Sequence, residues 1–113
     1  MPQISYYPVS QVDFDQFTNA FNLAYSDYFT PIVMTPGSFR ALIRQDDLDL
    51  DASVAALADH DIVGTGMLGL RQGEAWIGGM GVVPEWRRCG IGLRMMEHLL
   101  EQAQARGVCE VRL

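Results

Sequence analysis

Hydrophobic positions change their period several times along this chain, and each change marks an element. Residues 3–9 (QISYYPV) read as a short strand, with Pro8 placing it near an edge or an end. Ser10 offers an N-cap. Phe14, Phe17, Phe21, Ala24, Tyr25 and Tyr28 then recur at three- and four-residue steps, which is one face of an amphipathic helix, stopped by Pro31. Thr35-Pro36 looks like a second helix start, a cap followed by proline in the first turn, with Phe39, Leu42 and Ile43 as its apolar side. Asp46 to Asp51 form an acidic connection.

Three strand-like runs follow: residues 53–58, Ile62 to Leu70, and Ala75 to Val83. Turns at Asp59-His60-Asp61 and Gln72-Gly73-Glu74 join them into an antiparallel meander. Gly78, Gly79 and Gly81 sit inside the last run, where glycines imply a bulge or a ligand lying close to the backbone. A long helix opens near Gly90. Ile91, Leu93, Met96, Leu99, Leu100 and Ala103 are expected on its buried side, with Met95-Met96 filling core. Arg106-Gly107 ends it, and Val108 to Leu113 start another strand. The order is β-α-α-β-β-β-α-β, an α/β domain.

Composition narrows the class. The chain has 113 residues, enough for one small domain, and 49% hydrophobic with 19% charged residues predicts folding rather than disorder. No apolar run approaches the ~20 residues of a membrane span, and Met1-Pro2-Gln3-Ile4-Ser5 lacks the basic start of a secretory leader. A cytoplasmic protein without membrane partners is expected. The formal net charge of -6 argues against nonspecific nucleic-acid binding. Cys89 and Cys109 lack CxxC spacing and read as free thiols. His60 and His98 show no metal-binding pattern, so no metal is expected. His60 belongs to a turn, and His98 is a surface or packing residue of the long helix.

The chemistry concentrates in Gly81-Val82-Val83-Pro84-Glu85-Trp86-Arg87-Arg88-Cys89-Gly90-Ile91-Gly92, which joins a strand to the start of an apolar helix. A helix start offers free N–H groups and partial positive charge to an anion. Gly90 and Gly92 allow close backbone approach, and Arg87 and Arg88 add charge at the mouth. Such a loop suits a phosphate or pyrophosphate. A Walker loop needs Lys and then Ser or Thr after its second glycine; Ile91-Gly92 stands there instead, which disfavours nucleotide hydrolysis. Gly64-Thr65-Gly66-Met67-Leu68-Gly69 matches GxGxxG, but a turn and a strand follow it rather than a helix, so a glycine-rich hairpin strand is the better account.

Arg87-x-x-Gly90-x-Gly92, preceded by Val82-Val83-Pro84 and followed by an apolar helix, resembles the acetyl-coenzyme-A signature of the GNAT superfamily of N-acetyltransferases. The element order is similar along residues 1–113, which would then form a single, partial domain: a mixed, mostly antiparallel sheet flanked by helices, incomplete at the C-terminus. The resemblance implies that amides of Arg87, Arg88, Cys89, Gly90, Ile91 and Gly92 bind pyrophosphate. It implies that backbone groups of Gly81, Val82 and Val83 bond the pantetheine arm like an added strand. The Val82 N–H would polarise the thioester carbonyl. The first two helices wall the acceptor site in that family, which makes Tyr25, Tyr28 and Phe29 candidate substrate contacts. The family passes the acyl group directly to the amine, so Cys89 serves through its amide.

Two departures matter. Trp76 stands eleven residues before Arg87, where some members carry a Glu base, and Glu74 is the nearest carboxylate. The family's later helix and strands, with a Tyr that often protonates the leaving thiolate, have no counterpart here. The expected activity is transfer of acetyl from acetyl-coenzyme A to a primary amine. The alternatives are an acyl-coenzyme-A-binding module and a catalytically incomplete piece of a longer or tandem acetyltransferase. Asp46, Asp47, Asp49 and Asp51 read as a solvated loop or as a long-range attractor of cationic amines. Val111-Arg112-Leu113 reads as a strand cut short, so a homodimer or poor solubility is expected of the isolated chain.

Overall fold

A computed structural model describes residues 3–113; Met1 and Pro2, which open the stretch inspected for a leader, lie outside the described residues. The elements are β1 (Ile4–Pro8), α1 (Phe14–Ala24), α2 (Pro36–Gln45), β2 (Leu48–Ala58), β3 (Asp61–Arg71), β4 (Glu74–Val82), α3 (Ile91–Ala105) and β5 (Val111–Arg112), the expected order. The strands form one five-stranded sheet in the order β1-β2-β3-β4-β5. Its first three pairings are antiparallel, and β5 joins β4 in parallel. No described helix is long and apolar enough to cross a membrane.

Helices cover both faces of this sheet, so its central strands are buried twice over. On β2, Ala52, Val54, Ala56 and Ala58 join Ile91, Met95, Leu99 and Ala103 of α3 in one cluster. Ala55, with Met67 of β3, joins Phe17, Phe21 and Phe39 of α1 and α2 in the other. Strand alternation produces this division. Small residues let the helices close in. A Cβ on Gly64 would lie 3.0 Å from the Met95 side chain, and one on Gly66 would lie 3.3 Å from Leu99. Gly69 makes room for the Trp76 indole. The GxGxxG letters are therefore explained by packing on a strand.

Several boundaries differ from expectation. The N-cap of α1 is Asp13, not Ser10, because its carboxylate accepts the Gln16 N–H at 2.9 Å while Val9–Gln11 form a short 3-10 turn. Helix α1 ends at Ala24, so Tyr28 lies beyond it. The cap at Thr35 is as expected, and Ser38 completes a capping box. The acidic connection is largely strand, since β2 already begins at Leu48. Asp49 is used structurally in an irregularity of β2: its carboxylate accepts the Ala52 N–H at 2.9 Å, and its carbonyl accepts the Ser53 hydroxyl at 2.6 Å. Only Val111 and Arg112 of the expected last strand pair with the sheet.

Helix α3 buries Ile91, Met95, Leu99 and Ala103, a strict four-residue stripe. Leu93 is 70% exposed and Leu100 45% exposed, and Met96 is only half-buried. This stripe packs on Ala52, Val54, Ala56 and Ala58 of β2 and on Val63 and Leu68 of β3, with Gly64 and Gly66 leaving room for Met95 and Leu99. Met95→Ala should therefore cost about 2–5 kcal/mol, and Leu93→Ala no more than about 0.5 kcal/mol. Urea unfolding of the two variants checks this, and equal losses would contradict the stripe.

Candidate functional site

The site forms where β4 leaves the sheet and the chain turns into α3. Met67 pairs with Gly79 but Leu68 pairs with Ile77, so Gly78 is an extra residue on β4, the expected bulge. Pairing with β5 is confined to Ala75 and Trp76. From Ile77 to Val82 the far edge of β4 has no strand beside it among the described residues.

Past β4, Pro84–Trp86 form a 3-10 turn, and Arg88 and Gly90 take left-handed backbone at φ 65° and 81°. Left-handed residues in a turn let successive amides converge on one point. Arg94 is the first amide of α3 to bond backward, to Gly90 O at 3.1 Å. Among the described residues, the N–H groups of Arg88, Cys89, Gly90, Ile91, Gly92 and Leu93 meet no acceptor of the protein. A Cβ on Gly90 would touch nothing within 4 Å, and on Gly92 only Val82 Cγ2 at 3.8 Å. The amides are thus open to an anion at a helix start of positive potential. Arg88 and Cys89 are exposed beside them.

Arg87 departs from expectation twice: its N–H donates to Pro84 O at 3.3 Å and so leaves the row of free amides, and its side chain does not add charge at the mouth. Its guanidinium turns toward the end of α1: Nη1 donates to Asp27 Oδ2 at 2.6 Å, and Nη2 donates to Asp27 Oδ1 at 3.1 Å and Ala24 O at 2.9 Å. Its Nε donates to Val82 O at 3.1 Å. The end of α1 and the edge of β4 fill the planar fork, so of the loop's two arginines Arg88 is the one whose side chain has no protein partner among the described residues. Hydrogen bonding to Arg87 holds the Asp27 carboxyl below its ordinary range, and the same bond raises Arg87. Asp27 was missed in the sequence; it lies 60 residues from Arg87, and no local pattern marks it.

Tyr25 makes a second tie from α1 to the same edge. Its hydroxyl donates to Met80 O at 3.2 Å, and its ring packs on Phe21 at 4.8 Å. Burial raises its pKa, with Tyr28 adding to the effect, so it stays a phenol at neutral pH. Tyr25 is therefore a buried clamp rather than a substrate contact. Tyr28 lines a groove of about 340 Å³ with Ala24, Met80, Gly81, Val82 and Arg87. Phe29 is fully exposed in the loop beyond, whose base is closed by two 2.8 Å bonds between Asn22 and the Met34 backbone.

Trp76 lies on the other side of the bulge. Its indole covers Gly69 and is flanked by the guanidinium groups of Arg71 and Arg112 at 5.4 and 5.7 Å. Glu74 pairs with Arg112 at 3.6 Å. His60 is exposed in its turn, His98 is half-buried, and both cysteines are free and exposed. Among the described residues no three His, Cys, Asp or Glu side chains gather as a metal site.

A model of the acetyltransferase (GNAT) family matches residues 14–113. No curated protein gives a significant match. Among solved structures, a GCN5-related N-acetyltransferase from Sphaerobacter thermophilus is 26% identical with TM-score 0.81, over 97% of this chain and 35% of that one. A GNAT family acetyltransferase from Brucella melitensis, in complex with acetyl-CoA, is 18% identical with TM-score 0.79, over 98% and 75%. The ribosomal-protein-S18-alanine N-acetyltransferase from Escherichia coli is 16% identical with TM-score 0.73, over 94% of this chain and 63% of its own.

The Asp27 pair has a pH signature. Its folded pKa lies below the ordinary value of 3.8, so its stabilisation is complete above that value and is lost as pH falls through the lower, folded one. The melting-temperature gap between the protein and Asp27→Asn should be constant through neutral pH and close below pH 3.8. A gap that persists in strong acid would contradict the pairing.

Proposed function

The chain belongs to the acetyltransferase (GNAT) family, and on that premise we propose that it moves the acetyl group of acetyl-coenzyme A to a primary amine. The carrying observation is the run of open amides from Arg88 to Leu93, beside an unpaired strand edge. In this reading those amides and the Arg88 side chain hold the pyrophosphate, with Gly90 and Gly92 admitting it close to the backbone. The pantetheine arm follows the open edge of β4 past Met80 and Val82; Gly81 and Val83, expected to bond it too, turn their backbone groups to β3, and the Val83 carbonyl accepts the Trp86 N–H. A relative of the same fold that holds acetyl-CoA supports the choice of coenzyme.

Strand alternation gives Val82 its role. The Val83 N–H bonds Val63 O on β3 at 2.8 Å, so Val83 and Gly81 face β3. Met80 and Val82 face the open edge. The Val82 N–H then points at the groove and donates to the thioester carbonyl as negative charge develops there. The amine lone pair attacks that carbon, a C–N bond forms, and the C–S bond breaks. The thiolate leaves with the bonding pair, and the proton lost by the nitrogen reaches it through water. Trp76 occupies the place of a carboxylate base, so the amine must arrive neutral or lose its proton to water. Tyr28 and Phe29 border the acceptor's approach.

Trp76 also favours a second reading, a module that binds acyl-coenzyme A without turnover. Calorimetry with coenzyme A, followed by a thiol-release screen against amines, separates the two. Binding with product supports the transferase, and binding alone supports the module. Loss of both ends the family-based activity for this chain. Arg88→Ala should weaken coenzyme-A binding roughly tenfold, as loss of a charge-assisted contact does. Gly90→Val should abolish binding, because its side chain enters the cradle. Unchanged affinity in both variants would refute the site.

The exposed thiols of Cys89 and Cys109 fit a reducing, cytoplasmic compartment. The outer edge of β5 has no partner strand among the described residues. A concentration-dependent dimer is the expected result of light scattering; a monomer at every concentration would remove that expectation.

A further inference from the structure

We infer that Asp27 is a positioning residue for acyl transfer, acting through Arg87 on the direction of the Val82 N–H; this rests on the reading above. The Val82 N–H lies on the open edge between two carbonyls of that edge, Met80 O and Val82 O. Each carbonyl is held by a protein donor: Met80 O by the Tyr25 hydroxyl at 3.2 Å, and Val82 O by Arg87 Nε at 3.1 Å. Both donors come from groups tied to the end of α1. Tyr25 caps that helix, and Arg87 grips its last carbonyl, Ala24 O, together with Asp27.

The consequence for a ligand is directional. With both outward carbonyls occupied, this stretch of edge offers chiefly a donor, and a donor is what a thioester carbonyl takes. The clamp at Met80 O is a single phenol bond from a buried ring. The clamp at Val82 O is one arm of a guanidinium that rotates unless its other arms are held. Asp27 holds them through two bonds, with the bidentate geometry that fixes a guanidinium plane. The pair is solvent-exposed, where ion pairs add little to stability. Orientation of Val82 is therefore its main effect. The same bonds keep Arg87 away from the pyrophosphate, so Asp27 should influence the acyl end of the coenzyme and not the phosphate end.

That separation supplies the test. Coenzyme A and acetyl-coenzyme A share the pyrophosphate and differ by the thioester carbonyl, so the ratio of their dissociation constants reports the Val82 donor without any acceptor amine. Calorimetry should show acetyl-coenzyme A favoured by the protein. Asp27→Ala and Asp27→Asn should erase that preference while leaving the affinity for coenzyme A within about twofold, because the pyrophosphate cradle is untouched. Asp27→Glu, which keeps the carboxylate, should retain part of it. The double variant Asp27→Arg with Arg87→Asp restores an ion pair but offers Val82 O no guanidinium Nε. It should not regain the preference, although the ion pair is restored. Where an amine is turned over, kcat should fall roughly tenfold with KM for acetyl-coenzyme A little changed, as expected when a reacting group is misdirected rather than lost. Equal weakening for both ligands would assign Arg87 to the phosphates and overturn the inference. So would a preference unchanged in Asp27→Ala, or one restored by the charge swap. A protein that binds neither ligand would instead overturn the acetyltransferase reading, and this inference with it.

Discussion

A strand edge without a neighbouring strand needs partners for its peptide groups, and that need organises the site. Beyond Trp76, β4 has β3 on one side and, among the described residues, no strand on the other. Exposed edges are ordinarily shielded by charge, bulges or a covering element. Here the bulge at Gly78 redirects the strand, and the end of α1 covers part of the edge through Tyr25 and Arg87. What is left is a short row of peptide nitrogens running toward the loop 87–92, where the free amides of the helix start continue it.

The rest of the fold keeps that edge in place. Burial on both faces of β2 and β3 fixes the sheet, and the aromatic cluster of Phe14, Phe17, Phe21 and Phe39 seats α1 and α2 on one face. Because α1 is seated there, its last turn arrives at β4. A Cβ on Gly81 would lie 3.0 Å from the Ala24 Cβ, so even the groove wall depends on a missing side chain. Helix α3 is held on the opposite face by Met95 and Leu99, which sets its N-terminus at the mouth of the loop. Packing on the two faces thus brings a helix end and a helix start to the same strand terminus.

The loop between α1 and α2 has a different character. The loop from Tyr25 to Met34 carries Tyr28, Phe29, Ile32 and Val33, all exposed, and Tyr28 lines the groove. The acidic residues at the start of β2 do not face it as a free cluster. Asp49 is spent on the strand irregularity and Asp47 on Arg71. The chain spans 63% and 35% of two of the structures it resembles, so the acceptors of those whole proteins do not transfer to it directly.

The sequence by itself determined the elements and the loop. The period of apolar residues, the caps at Thr35 and Gly107, the hairpin turns and the glycines of the motif are governed by neighbours a few positions away. Local backbone geometry and hydrogen bonding decide them. It misplaced the start of α1 because Ser10 and Asp13 are both competent caps, and the choice depends on how Val9 is buried. It assigned Leu93 and Leu100 to the core because period alone does not give the width of a buried stripe. Only the tertiary structure decided where the Arg87 guanidinium goes. From the sequence it is one of two arginines beside a phosphate loop. In the fold it meets a carboxylate, a helix-end carbonyl and a strand-edge carbonyl, from residues as far as 63 positions away. A charged fork takes whichever acceptors packing brings within reach, and that arrangement is a property of the folded chain as a whole.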